Sequence, residues 1–320
     1  MGHGDARAGA PAPSTVLVSA ADDAFALPAA IALLSAALSS PLRPPCLLLG
    51  VKLTGAVAVA VERAFDKAGV VLAVRPAPAL VDDASLPAGL PVAACARLRL
   101  PEVAGDLAER SLYLDADTLT TAPIEELLAM SLGRLPFAAV PDSAIPSVSH
   151  RLGVRTWEKR GISPDAPFFN SGVLLVDNRQ WHDERIGERA FEELRGGETA
   201  AWEQGALNAA APGRWLALDA RWNFQVRNAF ELALGGWSLA KGGLRPPAPP
   251  GILHFTGRIK PWHAAYPPNA ARAAYLGAWR RLLLGVAEPR TRGRVAWAAA
   301  RLAGRMAERD AASGTTPASS

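Results

Sequence analysis

The chain has 320 residues, half of them hydrophobic and a fifth charged, with a formal net charge of +4. That balance excludes a disordered or fibrous chain and allows one large α/β domain with an appendage, or two small domains. The chain carries no long arginine or lysine run of the kind that serves nucleic acid, and the weak positive charge suits an anionic substrate or surface as well as a plain enzyme.

The N-terminus, residues 1–15, is polar and rich in Gly, Ala and Pro, and reads as disordered and without a signal peptide. The apolar stretch 24–38 is too short to span a bilayer, so the expected location is cytoplasmic. Val16 to Ser19 predicts a strand, and Leu27, Ile31, Leu34 and Leu38 share one face of a following helix. Cys46 to Gly50 is a second strand, Gly55 to Asp66 a helix and Val70 to Val74 a third strand. Ala93 to Leu100 predicts a helix, Leu112 to Leu114 a strand, and Pro123 opens a helix with Glu125 and Glu126 in its first turn. Phe137 to Val140 and Gly172 to Val176 are strands. The proline-punctuated stretch between them, Asp142 to Phe169, suits a substrate loop or lid with a helix inside it. Trp181 to Leu194, Trp202 to Ala210 and Ala270 to Leu284 predict helices, and Ile252 to Phe255 a late strand. Continuous apolar strands alternating with helices point to an α/β fold with a mostly parallel central sheet covered on both faces. Cys46 and Cys95 lack CxxC spacing and read as buried thiols in a reducing compartment.

Chemistry concentrates in two places. In Leu112-Tyr-Leu-Asp-Ala-Asp117 the two aspartates lie two apart on an extended chain, so their side chains can chelate one cation. The same Asp-x-Asp can simply end a strand and cap the next helix. In His254-Phe-Thr-Gly-Arg-Ile-Lys-Pro-Trp262, His254 can add an imidazole to that cation, a donor set that suits manganese better than calcium. Gly257 allows close backbone approach to a phosphate, and Lys260 supplies a point charge to it. The bland alternative is a core histidine beside a surface lysine. Asp82-Asp83 reads as a solvated turn, His150 and His182 as helix-surface residues, and Glu192-Glu193 as a solvated helix face. Trp157, Trp181, Trp202, Trp215 and Trp222 read mostly as packing residues, with Trp222 the one candidate for sugar stacking.

Taken together, these blocks resemble the retaining glycosyltransferases of family 8. The matching residues are Ala20-Ala-Asp-Asp23, Ala96-Arg-Leu98, Leu112 to Asp117, Phe169-Asn-Ser-Gly-Val-Leu-Leu175, Glu203-Gln204 with Asn208, Trp222-Asn223 and His254 to Trp262, in the family's order. The resemblance implies a GT-A fold over residues 16–286, a UDP-sugar donor, and Mn²⁺ (or Mg²⁺) held by Asp115, Asp117 and His254. It places the donor diphosphate near Gly257 and Lys260, with Ala116 between the two carboxylates. Ala20 and Asp22 would face the base and ribose, with Arg97 beside them. Asn170 would lie in the sugar pocket, and Glu203 and Gln204 would flank the reacting carbon. The chain departs from the family's pattern at Glu203, commonly an aspartate, and at Ala24-Phe25, where a polar residue often follows. The implied acceptor is a glycan or glycolipid hydroxyl.

Beyond Glu288, residues 287–310 form a basic amphipathic segment. Arg290, Arg294, Arg301 and Arg305 share one side and Val295, Leu302 and Met306 another. It can rest on an anionic inner leaflet or pack on the domain; residues 311–320 read as disordered. Two other functions stay open on sequence. Asp115-Ala-Asp-Thr-Leu119 superficially resembles the nucleophile motif of haloacid-dehalogenase phosphohydrolases, and a non-catalytic sugar-nucleotide or membrane-binding module is the third reading.

Overall fold

Apolar runs that show no in-out alternation become strands buried on both faces, and the helices between them supply the cover. The computed structural model describes residues 14–77, 90, 92–197, 200–226 and 250–284. Asp82-Asp83, the basic segment 287–310, the end 311–320 and all but two residues of the N-terminal stretch lie outside them. In chain order the first elements are β1 (Thr15–Ala21), α1 (Ala26–Ser39), β2 (Cys46–Gly50), α2 (Gly55–Ala68), β3 (Leu72–Pro76), α3 (Val92–Cys95) and α4 (Leu100–Ala104). They are followed by β4 (Arg110–Leu114), β5 (Thr118–Thr120), α5 (Glu125–Leu128), β6 (Phe137–Pro141), β7 (Phe169–Asp177), α6 (Asn178–Asp183) and α7 (Ile186–Arg195). The last are α8 (Trp202–Ala210), β8 (Leu216–Ala217), β9 (Phe224–Gln225), β10 (Ile252–His254) and α9 (Ala270–Trp279).

A seven-stranded sheet runs in the order β3-β2-β1-β4-β7-β6-β8, and a small sheet in the order β5-β10-β9. In the large sheet β7 alone runs against the rest, pairing antiparallel with β4 and β6, so the sheet is mostly parallel as expected. Strand side chains alternate between faces. Leu17, Leu48, Leu112, Leu114, Val173 and Leu175 pack on one side, against α1, α2, α5 and α9. Val16, Val18, Leu47, Leu49, Tyr113 and Leu174 pack on the other, against α4, α7 and α8. Both cysteines are free and buried.

Several boundaries move, each for a local reason. β1 begins at Thr15, one residue earlier than expected, and Ser14 Oγ beside it accepts the Glu109 backbone N–H. β3 begins two residues late because Gly69, at φ 62°, closes α2, and Val70 still donates back to Phe65. The helix expected over 93–100 is α3, a 3-10 turn over Ala96–Arg99, and α4. Pro101, lacking an N–H, starts the new helix and cannot extend the old one. The helix expected over 181–194 is α6 and α7, broken at Arg185, whose φ is 52°. Asp177 caps α6 by accepting the Gln180 N–H at 2.9 Å. The helix opened by Pro123 is a single turn, and the last helix changes to a π turn over Arg280–Leu284.

The stretch between β6 and β7 holds no helix. It is a turn-rich loop with its own small core of Ile145, Val148, Val154, Ile162 and Phe168 against Ala209 of α8, and His150 therefore lies in a turn.

Candidate active site

In a mostly parallel sheet the carboxyl ends of the strands form one open edge, and ligands bind there. β1 ends at that edge with Asp22, β4 with Asp115, and β6 with Asp142. Because β7 runs the other way, it begins there, with Asn170, Ser171 and Gly172: Leu114 pairs with Val173, and Asp115 N–H donates to Gly172 O at 2.8 Å. A bulge between Ala139 and Val140 shifts the register of β6 against β7 at this end. After Asp117 the chain turns into β5, which pairs antiparallel with β10 and sets His254 opposite Thr118. The small sheet thus carries the late block back to the aspartates.

Three ligand atoms meet. His254 Nε2 lies 3.2 Å from Asp117 Oδ1 and 3.6 Å from Asp115 Oδ2. One donor atom from each residue falls within 4.8 Å of the others. An octahedral cation with ligands at roughly 2.1 Å needs neighbouring ligands about 3 Å apart, so the trio fits a small divalent ion. The other oxygen of each carboxylate is held elsewhere. Asp115 Oδ1 accepts from Arg97 at 2.7 Å and from the Tyr113 hydroxyl at 3.1 Å, and Asp117 Oδ2 accepts from Lys260 Nζ at 2.5 Å. Gly172 closes the cradle: a Cβ there would stand 2.2 Å from His254 Cε1 and 2.7 Å from Asp115 Oδ2.

The electrostatics follow from burial. Burial alone would raise the Asp117 carboxyl, but His254 and Lys260 hold it well below the usual carboxylate range. Arg97 is 3% exposed; burial disfavours its charge, yet Asp115 and its other neighbours raise its pKa above the ordinary arginine value. Burial pushes Glu203 up against the opposing pull of Arg97, 3.7 Å away.

A model of glycosyl transferase family 8 matches residues 59–265, well over half of the chain. The chain belongs to that family. Among curated relatives of this family 8 chain, general stress protein A of Bacillus subtilis is 26% identical over 178 residues, 54% of this chain and 59% of that protein. Glycosyltransferase GlyB of Streptococcus pneumoniae is 32% identical over 163 residues, 48% and 34% of the two chains. Lipopolysaccharide 1,3-galactosyltransferase of Salmonella typhimurium is 28% identical over 184 residues, 53% and 50%. The matches therefore span from about a third to under two thirds of the relatives' own length. The crystal structure of the galactosyltransferase LgtC, with donor and acceptor sugar analogues, superposes with a TM-score of 0.66 at 23% identity, over 87% of this chain and 99% of that one. That likeness establishes the GT-A fold.

Most residues expected in the family 8 site converge. Asn170, Glu203, Gln204, Arg97, Asp115, Asp117, His254 and Lys260 are joined by one set of hydrogen bonds and ion pairs. Arg97 bonds Asp115 and also Ser171, at 2.6 Å to its carbonyl and 2.9 Å to its hydroxyl, so its contacts lie on the side of Asp115 and Glu203. Ala20 is buried in the sheet core beneath the edge, Ala116 is buried, and Gly257 is half-buried. Asp22 is exposed at the end of β1, its carboxylate accepting the Phe25 N–H at 3.1 Å.

Other expectations change. Trp222 is 1% exposed, with the Arg221 guanidinium 4.5 Å above its ring, and is not available to a sugar. Trp202, read as a packing residue, is 44% exposed and has φ 46°. Glu193 is no free solvated carboxylate, for it pairs with Arg160 of the 142–168 loop.

Asp142, Ser171 and Tyr113 were not foreseen in the site, and Asn223 had no role. Asp142 stood in plain view after an apolar strand, as Asp115 did. The Tyr113 hydroxyl reaches the carboxylate two residues on, a contact that strand periodicity alone permits.

Proposed function

We propose that this chain is a retaining hexosyltransferase that moves a sugar from a UDP-sugar to a hydroxyl of a glycan or glycolipid. The observation that carries the reading is the convergence of Asp115 Oδ2, Asp117 Oδ1 and His254 Nε2, with Lys260 alongside, at the open edge of a GT-A sheet. The GT-A likeness and the lipopolysaccharide galactosyltransferase among the relatives support it. Asp115, Asp117 and His254 hold Mn²⁺ or Mg²⁺, which when bound supplies a Lewis acid for the diphosphate. Lys260 turns from Asp117 to the phosphates, and the backbone at Gly257 lies against them. Asp22 lines the nucleotide side, where Ala20 and Ala116 contribute backbone at the strand ends, and Asn170, Arg97 and Glu203 lie on the sugar side.

Gln204 is held at both ends of its amide: Oε1 accepts the Ser171 N–H at 3.1 Å, and Nε2 donates to Asp142 at 3.1 Å. So held, it is no nucleophile, which supports attack from the leaving-group side. The acceptor oxygen bonds to the anomeric carbon as the carbon–phosphate oxygen bond breaks. The hydroxyl proton passes to a phosphate oxygen, UDP leaves, and the configuration is retained.

Membership of family 8 removes the phosphohydrolase reading of Asp115 and Asp117. Among the described residues no helix is long and apolar enough to cross a membrane. A place on the cytoplasmic face, with the basic segment 287–310 against anionic lipid, is part of the proposal.

The test is calorimetric titration of UDP into the protein with Mn²⁺ and with excess EDTA, on wild type and Asp117→Ala. Binding that needs the metal and is lost in the variant is expected. No binding by folded wild type under either condition sinks the UDP-dependent reading and leaves a donor with another nucleotide or a non-catalytic module.

A further inference from the structure

A chain of side-chain amides runs from Asp142 to His254, and its direction can be read without ambiguity. Asn170 Oδ1 accepts the backbone N–H of Gly172 at 3.0 Å. A backbone N–H only donates, so that end of Asn170 must be the oxygen. Asn170 Nδ2 therefore faces the other way and donates to Asp142 Oδ2 at 3.0 Å.

The same Asn170 oxygen faces Asn223 at 2.9 Å, so the Asn223 atom there must be the donor, Nδ2. Its oxygen then faces His254 Nδ1 at 2.8 Å. An amide oxygen only accepts, so Nδ1 must carry the proton. Whenever the ring is neutral, its lone pair then falls on Nε2, the nitrogen that faces Asp115 and Asp117. Every member is buried, between 1% and 7% exposed, so water does not readily substitute for a missing partner.

Asp142 anchors this chain. Its Oδ1 accepts the backbone N–H groups of Ala144 at 2.8 Å and Ile145 at 3.0 Å, while Oδ2 takes Asn170 and Gln204.

We infer that Asp142, Asn170 and Asn223 form a directional relay that fixes the tautomer of His254 and so presents Nε2 to the cation. Asp142 and Asn223 are positioning residues: neither belongs to the trio of ligand atoms, and each acts through its neighbour. The inference rests on the cation-site reading above, but its first test does not.

That test is nitrogen NMR of the isotopically labelled, metal-free wild type, with His254 assigned by its loss in His254→Gln. At a pH alkaline enough for the ring to be neutral, Nδ1 is expected to give the protonated signal and Nε2 the unprotonated one. The opposite pattern, or an even mixture, overturns the relay whatever the protein binds. The second test is the affinity of nucleotide-free protein for Mn²⁺ alone. Asn223→Leu, which keeps the bulk and removes the acceptor, is expected to lose about ten- to hundredfold, the range for groups that orient a ligand. Asp142→Asn is expected to bind more weakly than wild type and to show both tautomers of His254. Variants that fold and bind Mn²⁺ as wild type does, with Nδ1 still protonated, overturn the inference. Failure of wild type to bind Mn²⁺, with Nδ1 protonated, counts against the cation site and leaves the tautomer assignment standing.

Discussion

Glu203 and Arg97 face each other 3.7 Å apart in a buried corner, and burial wins over attraction: the Glu203 carboxyl is raised above its ordinary value. A carboxyl raised by folding holds its proton more tightly in the folded than in the unfolded chain. Between the ordinary glutamate value, about 4.3, and the raised one, folding takes up a proton, so this group's contribution to stability falls as pH rises. Above the raised value the full cost is present. Asp117, shifted the other way, contributes stability that is lost as pH falls. Subtracting a variant separates the two. The stability of Glu203→Gln minus that of wild type, from urea denaturation at several pH values, is expected to grow as pH rises from about 4 and then level off. Parallel curves would show that Glu203 ionises as an exposed carboxylate does. At this scale the clustering of Asp115, Asp117 and His254 was legible, because carboxylates two apart and a histidine in a Gly-Lys block are local patterns. Asp142 and Asn223 were not, because their roles depend on partners far away in sequence: Asn170 for Asp142, and Asn170 and His254 for Asn223.

The 3-10 turn Ala96–Arg99 shows how an element aims a residue. It places Arg97 toward Asp115 and Leu98 toward α7, where Gly187 meets it backbone to backbone. A Cβ on Gly187 would lie 1.9 Å from Leu98 O and 3.3 Å from Trp181 Nε1. Neither the turn nor the helix can yield as a flexible side chain can. Gly187→Ala is therefore expected to cost about 1–3 kcal/mol in urea denaturation. It should also weaken UDP binding in Mn²⁺, because the turn that moves carries Arg97. Normal stability with normal binding would mean that α7 does not hold that turn. The sequence showed most helices and the long strands, since apolar runs and periodicity report burial directly. It missed the 3-10 turn Ala96–Arg99, the helix α4 that follows it, the break at Arg185 and the strands β5, β8 and β9. Those strands have two or three residues each, too few to show a period. Asn170 and Ser171, which follow Phe169 at the start of β7, are polar and interrupt the apolar run, and that hid the start of the strand.

On the scale of the whole molecule, the site is assembled from the turn at Arg97, the ends of β4 and β6, the start of β7, the N-terminal turn of α8 and the block after β10. The mostly parallel sheet was legible from its apolar strands, but this assembly was not, because the small sheet that returns His254 and Lys260 to the aspartates leaves no local signature. An unfolded chain cannot hold six such segments together, so ligand binding adds to folding stability. In the metal-free protein the clustered carboxylates are balanced by Arg97 and Lys260, and a cation with UDP would replace the Lys260–Asp117 pair by stronger contacts. At a ligand concentration of 100 times Kd the added stability is about 2.7 kcal/mol. For a domain of this size that corresponds to roughly 5–10 °C in Tm. Calorimetric melting with Mn²⁺ and UDP together should show that rise, and Asp117→Ala should melt at one temperature with or without them. A rise of equal size in the variant would place the ligands elsewhere on the molecule, since Asp117, the carboxylate that both His254 and Lys260 contact, would then be dispensable.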